Sequence, residues 1–127
     1  MVHFSGTVSR IDKFDKSADP LLIIDAISSF SGGGTNFEAP LTAATNIIKE
    51  QKEFKKGDII FITDGESAMS ENFMDNFNTL KKEHEFNVTS VLISSYGSST
   101  CEKFSNSVVN MRDLTKDDDA LDAMFTI

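Results

Sequence analysis

The chain has little cysteine, little proline and no long apolar run, and each shortage closes off a class of protein. Its single cysteine, Cys101, rules out an internal disulfide and fits a reducing compartment. No apolar stretch approaches the roughly 20 residues a membrane-spanning helix needs. The first residues, Met1-Val2-His3-Phe4, lack the basic start and apolar stretch of a signal peptide. A cytoplasmic location with no membrane association is the expectation. Basic residues are also in short supply, 12 against 20 acidic ones, for a net charge of −8. That balance disfavours nucleic acid and anionic membranes, whose binding leans on Lys and Arg. Lys55-Lys56 and Lys81-Lys82 are isolated pairs. Cations or basic protein surfaces are the better-matched partners.

The 127 residues fit one domain, and neither a repeat nor a Pro-rich linker divides them. Val2–Val8 alternates as a strand would, with Arg10–Phe14 as its hairpin partner. Leu21, Leu22, Ile24, Ile27 and Phe30 recur near helical spacing, which predicts a helix over about 18–29. A glycine loop, Ser31-Gly32-Gly33-Gly34, precedes a second predicted helix from Phe37 to Phe54, with Leu41, Ala44, Ile48 and Gln51 on one stripe. Asp58–Thr63 is a continuous apolar run, the pattern of a parallel strand buried on both faces. Ser70 opens a third helix carrying Phe73, Phe77, Leu80 and His84. Val88–Ser94 reads as another buried strand, followed by a loop over Tyr96–Thr100. A short helix around Cys101–Ser107, a strand over Val108–Leu114 and a helix from Lys116 to Phe125 complete the pattern. Alternating strands and helices predict a doubly wound, mostly parallel α/β sheet with helices on both faces.

In such sheets ligands bind outside the carboxyl ends of the strands. Two segments fall there: Gly32-Gly33-Gly34-Thr35-Asn36-Phe37, and Thr63-Asp64-Gly65-Glu66-Ser67 directly after a strand. A hydroxyl from the first and a carboxylate from the second are hard oxygen ligands of the kind magnesium or manganese prefers.

Gly33-Gly34-Thr35-Asn36 before a helix, then Ile62-Thr63-Asp64-Gly65-Glu66, resembles the second and third motifs of the metal-ion-dependent adhesion site of von Willebrand factor type A (vWA) domains. Val2-His3-Phe4-Ser5 is similar to that family's second strand and Val88–Ser94 to its fifth, so the likeness runs along the whole chain. Its flavour is that of the prokaryotic, intracellular CoxE-like members. The resemblance implies a divalent cation, Mg2+ or Mn2+, held by Thr35 and Asp64. Gly33, Gly34, Asn36 and Glu66 would then flank the surface offered to a protein partner, whose carboxylate completes the shell. It implies no catalysis. In related systems the partner is often a MoxR-type AAA+ ATPase. The family's first motif, Asp-x-Ser-x-Ser, is missing, together with the strand and helix around it. The expectation is therefore an N-terminally incomplete vWA-like fold with weak or no magnesium binding. Two strand edges would be left open, through which the chain could self-associate.

Other readings of the same residues stay open at this point. Thr35-Asn36-Phe37-Glu38 fits a capping box, which would commit the Thr35 hydroxyl to helix amides. Asp64-Gly65 is also an ordinary turn pair. Asp117-Asp118-Asp119 suits the first turn of a helix better than a calcium site. His3 and His84 lack zinc spacing, and His84 belongs to an apolar stripe. Cys101 has no evident activating neighbour. A second function class would make Asp64 the acceptor of a phosphoryl group, but Glu66 stands where dehalogenase-type sites carry a second Asp. No lysine lies in Val91–Gly97. A third class is an oligomerising scaffold without a metal.

Overall fold

A computed structural model describes residues 1–29, 32–52, 56–93 and 99–111. Among these the elements run β1 (Val2–Phe4), β2 (Val8–Ile11), α1 (Pro20–Ser28), α2 (Glu38–Glu50), β3 (Ile59–Thr63), α3 (Glu71–Glu83), β4 (Val88–Leu92), α4 (Ser99–Phe104) and β5 (Ser107–Asn110). The helix expected over Lys116–Phe125, with Asp117-Asp118-Asp119, lies outside the described residues, as do Phe30, Ser31, Phe54, Ser94 and Leu114.

The expected hairpin forms, with shorter strands. Ser5 N donates to Thr7 O at 2.9 Å, so residues 5–7 are the turn and Val8 belongs to the returning strand. Val2 faces Ile11 and His3 faces Arg10 across the antiparallel pair. Alternation over Val2–Val8 hid the turn because Gly6 interrupts no apolar residue. The helix α1 starts where Asp19 accepts from Leu21 N at 2.9 Å, with Pro20 in the first position. Only Ala26 of this helix is buried. Leu21, Leu22, Ile24 and Ile27, whose spacing predicts the helix, are all exposed.

Three parallel strands in the order β3-β4-β5 form the main sheet, with β3 and β4 paired from Ile59↔Val88 to Thr63↔Leu92. The fold is thus mixed α/β around a parallel sheet. Residues alternate faces along a strand. One face carries Ile59, Phe61, Val88, Leu92 and Val108, and against it pack Phe37 and Leu41, which open α2, with Phe77 of α3 and Phe104 of α4. Four rings interlock there: Phe61 meets Phe37 at 5.0 Å and Phe104 at 5.5 Å, and Phe77 meets Phe104 at 6.1 Å, all edge-to-face. Each such pair adds about 0.5–1.5 kcal/mol beyond area burial.

The expectation that β3 is buried on both faces needs correcting. Its second face exposes Ile60 by 44% and Ile62 by 50%, whereas all five residues of β4 are buried. A run of Ile-Ile-Phe-Ile reads as doubly buried because hydropathy does not reveal which neighbours cover each face. Ends also shift. The helix α2 stops at Glu50 instead of reaching 54, with Gln51 N closing on Ile47 O at 3.1 Å. The helix expected around Cys101–Ser107 begins earlier, at Ser99, and ends at Phe104, so Ser107 starts β5.

His84 is not a core residue but the half-buried C-cap of α3. Beyond it Glu85 takes a left-handed φ of 51°, and Phe86 N reaches Lys81 O at 3.2 Å. This is a Schellman closure with Glu in the position glycine usually fills.

Candidate functional site

Three loops meet at the carboxyl ends of the strands. The Ser5-Gly6 turn leaves β1, the glycine loop leads into α2, and Asp64–Ser67 leaves β3. Asn36 N donates to Ser5 O at 2.9 Å, which ties the glycine loop to the hairpin. Gly33 has φ of +151°, and a Cβ there would come 3.0 Å from Ser5 Oγ, so both its conformation and its neighbour demand glycine. A Cβ on Gly65 would stand 3.1 Å from the Thr35 hydroxyl oxygen. The glycine after Asp64 thus lets the Thr35 side chain come down onto the β3–α3 loop. Thr35 and Asp64 therefore sit on the same rim, as the sequence pattern predicts, and both are exposed.

The capping box is not formed. Phe37 already has helical angles, and the acceptor for Ala39 N is Asn36 Oδ1, at 3.2 Å. Asn36 is therefore the functional cap. The Glu38 carboxylate turns outward instead and accepts from Ser70 N at 2.6 Å, bridging the start of α2 to the start of α3. The Thr35 hydroxyl is released from capping. Asn36, expected at the partner surface, is half-buried and spends its side chain on the helix.

Gly34 and Glu66 lie exposed on either side of the Thr35–Gly65 contact. Ser67 N meets the Glu66 carboxylate at 3.3 Å, and Gly65 N meets Thr63 Oγ1 at 3.2 Å, which shapes the turn. Ser70 is the cap of α3, accepting from Phe73 N at 3.3 Å. Among the described residues no three His, Cys, Asp or Glu side chains gather into a metal-holding group. The rim offers one hydroxyl and one carboxylate, which suit a hard cation as part of a ligand set and not as a whole one. Cys101 is fully buried in the core.

Two features escaped sequence reading. Glu38 reaches across 32 positions, and no local pattern signals that. His3 Nε2 lies 3.0 Å from Asp12 Oδ2, with Arg10 Nε 2.8 Å from the same oxygen. The His3↔Arg10 register could have suggested that cluster once the hairpin was accepted.

Two uncharacterized proteins of the archaeon Methanocaldococcus jannaschii are similar to the chain. One is 34% identical over 111 residues, covering 84% of this chain, and the other is 31% identical over 112 residues, covering 88%. The chain spans about a quarter of the length of these relatives, 25% of one and 27% of the other. No known family profile matches the sequence, and no solved structure matches it. No helix among the described residues is long and apolar enough to cross a membrane.

Proposed function

We propose that the chain is a vWA-like protein-interaction module of the doubly wound type, whose rim presents Thr35 and Asp64 to a divalent cation. The observation that carries this reading is the seating of the Thr35 hydroxyl against Gly65, one residue beyond Asp64. Thr35 stands beside the residue that follows Asp64, at the carboxyl ends of parallel strands, where α/β proteins place their ligands. Capping by Asn36 leaves the threonine oxygen available to a metal.

Mg2+ or Mn2+ bound there would bridge these oxygens to a carboxylate from a partner protein, such as a MoxR-type AAA+ ATPase, without a chemical reaction. Gly33 and Gly34 keep the approach to the cation free of side chains, and Glu66 adds charge at its edge. With two donors and no Asp-x-Ser-x-Ser motif, the isolated chain holds magnesium weakly or not at all.

Isothermal titration of the chain with MgCl2 tests this. The expected result is no micromolar binding. Micromolar affinity that Asp64→Ala abolishes would show a complete site and overturn the incomplete-site reading. Acetyl phosphate separates the enzymatic alternative, because a labile phosphoryl adduct at Asp64 would replace the interaction reading with phosphoryl transfer.

A further inference from the structure

The helix α1 carries more apolar surface than the described fold uses. Leu21 is 69% exposed, Leu22 58%, Ile24 57% and Ile27 65%, while Ala26 is the one buried residue of the helix. Single exposed leucines are ordinary on a protein surface, but four large aliphatics on nine residues form a patch. A helix that is apolar nearly all round belongs in an interior. Its length adds to the argument. Isolated helices shorter than about 12–15 residues are marginal in water, and packing of an apolar face supplies most of a protein helix's stability. In α1 only Ala26 and the half-buried Ile23 turn inward.

The ends of α1 are nevertheless closed. Asp19 caps Leu21 N, Ser28 Oγ donates to Ile24 O at 2.7 Å, and Ser29 N returns to Asp25 O at 3.1 Å. The helix is thus preformed, and a partner need not order it before packing on Leu21, Leu22 and Ile24. Charge then defines what can approach. No Lys, Arg or His occurs between Lys16 and Lys49, a stretch that holds Asp19, Asp25 and Glu38. The Asp25 side chain, beside Ile24, is 76% exposed. Its ion pair with Arg10 is long, 3.8 Å, and Arg10 holds Asp12 more closely, at 2.8 Å.

We infer that α1 docks an amphipathic helix of a partner protein, one whose apolar side is flanked by lysine or arginine. The helical form follows from the surface. A helix has no strand edge to offer, so the partner must satisfy its own backbone. The row of Leu21, Ile24 and Ile27, spaced by three, is a ridge that fits the groove of a second helix. The basic flank follows from Asp19 and Asp25, which no nearby lysine offsets. A second copy would bring the same carboxylates together on a chain of net charge −8, and an anionic lipid surface would meet the same repulsion. The inference does not depend on a metal at Thr35 and Asp64.

Fluorescence anisotropy with a labelled synthetic peptide tests it, the probe being a Leu/Lys sequence with leucines on one helical face and lysines on the other. The chain should bind it at least about tenfold more tightly than a scrambled peptide of the same composition, which keeps the charge and loses the apolar face. A Leu/Glu version should not bind. Leu21→Gln combined with Ile24→Gln alters two exposed positions. That variant should keep the native circular dichroism and lose peptide affinity at least about tenfold. Asp25→Lys should weaken binding, and more so at low salt. A photoreactive residue in the peptide should cross-link to residues 20–29 of the parent chain, a readout that stands even if the double variant fails to fold. Equal binding of the scrambled peptide, full binding by a folded double variant, or cross-links away from α1 would overturn the inference. So would a dimer of the free chain that the double variant dissolves, which assigns the face to a second copy. Binding to phosphatidylcholine vesicles that the double variant abolishes would assign it to lipid instead.

Discussion

Replacing Gly33 and Gly34 separately by alanine should split two adjacent glycines into one required and one dispensable. At Gly33 the φ of +151° is a conformation that residues with a Cβ rarely adopt, and the new methyl would sit 3.0 Å from Ser5 Oγ and 3.4 Å from Ser5 Cβ. Holding a non-glycine residue there costs about 1–3 kcal/mol. At about 4 °C per kcal/mol for a domain between the small and medium size classes, Tm should fall by about 4–12 °C. Gly34 has open space where its Cβ would go and no left-handed φ. Alanine there should be neutral, or stabilise by about 0.4–1 kcal/mol by restricting the unfolded chain. Urea unfolding reads both, the midpoint moving at constant slope. Ser5→Ala combined with Gly33→Ala removes the nearer contact but not the backbone strain, so most of the loss should persist. If Gly33→Ala unfolds within about 0.5 kcal/mol of the parent, or Gly34→Ala costs as much as Gly33→Ala, the glycine loop is not held against the hairpin turn as described. The rim geometry that places Thr35 would then fall with it.

Two further outcomes follow from the helix α3. Glu85→Gly should raise stability by about 1 kcal/mol in the same urea assay, because glycine takes the left-handed C′ position without strain and loses only the exposed contact to Lys56. Lys81 donates to Phe104 O at 2.6 Å from a half-buried position, and burial lowers its pKa below the ordinary 10.5. The unfolded chain then binds the proton more tightly, so the stability Lys81 contributes should grow as pH rises toward 10.5 and fall away below its folded pKa. The difference in unfolding free energy between the parent and Lys81→Met, followed from neutral pH into that range, should widen with pH. A flat or narrowing difference would refute it.

The parts of the fold set by local rules were legible. Ser70 caps α3, Phe73 and Phe77 line one side of it, and Ile59–Thr63 is a strand before a loop, because caps and periodicity act within a few residues. What failed depended on distant neighbours. Leu21, Leu22, Ile24 and Ile27 have helical spacing and form a helix, yet all four stay largely exposed among the described residues. Ile60 and Ile62 are as apolar as Ile59 and Phe61, yet only the latter two meet α2, α3 and α4. At the rim, the pairing of residues 35 and 64 came from motif order, while the choice of Asn36 over Thr35 as cap turned on where helical φ and ψ begin. That is a difference of one residue, which no capping pattern resolves. Glu38 was half of a plausible capping box until Ser70 N, far along the chain, competed for its carboxylate.

At their carboxyl ends β1 and β3 are stapled through Ser5, Asn36, Thr35 and Gly65, and the Phe4–Phe61 stack closes the next layer. Loop contacts and one ring pair tie the hairpin to the main sheet there, whereas β3 takes its backbone pairing from β4. Thr35→Ala and Asp64→Ala remove side-chain oxygens beyond the strand ends and should therefore leave the amide exchange of β3 unchanged. Faster exchange along Ile59–Thr63 in either variant would show that these side chains hold the sheet together instead of standing ready for a ligand.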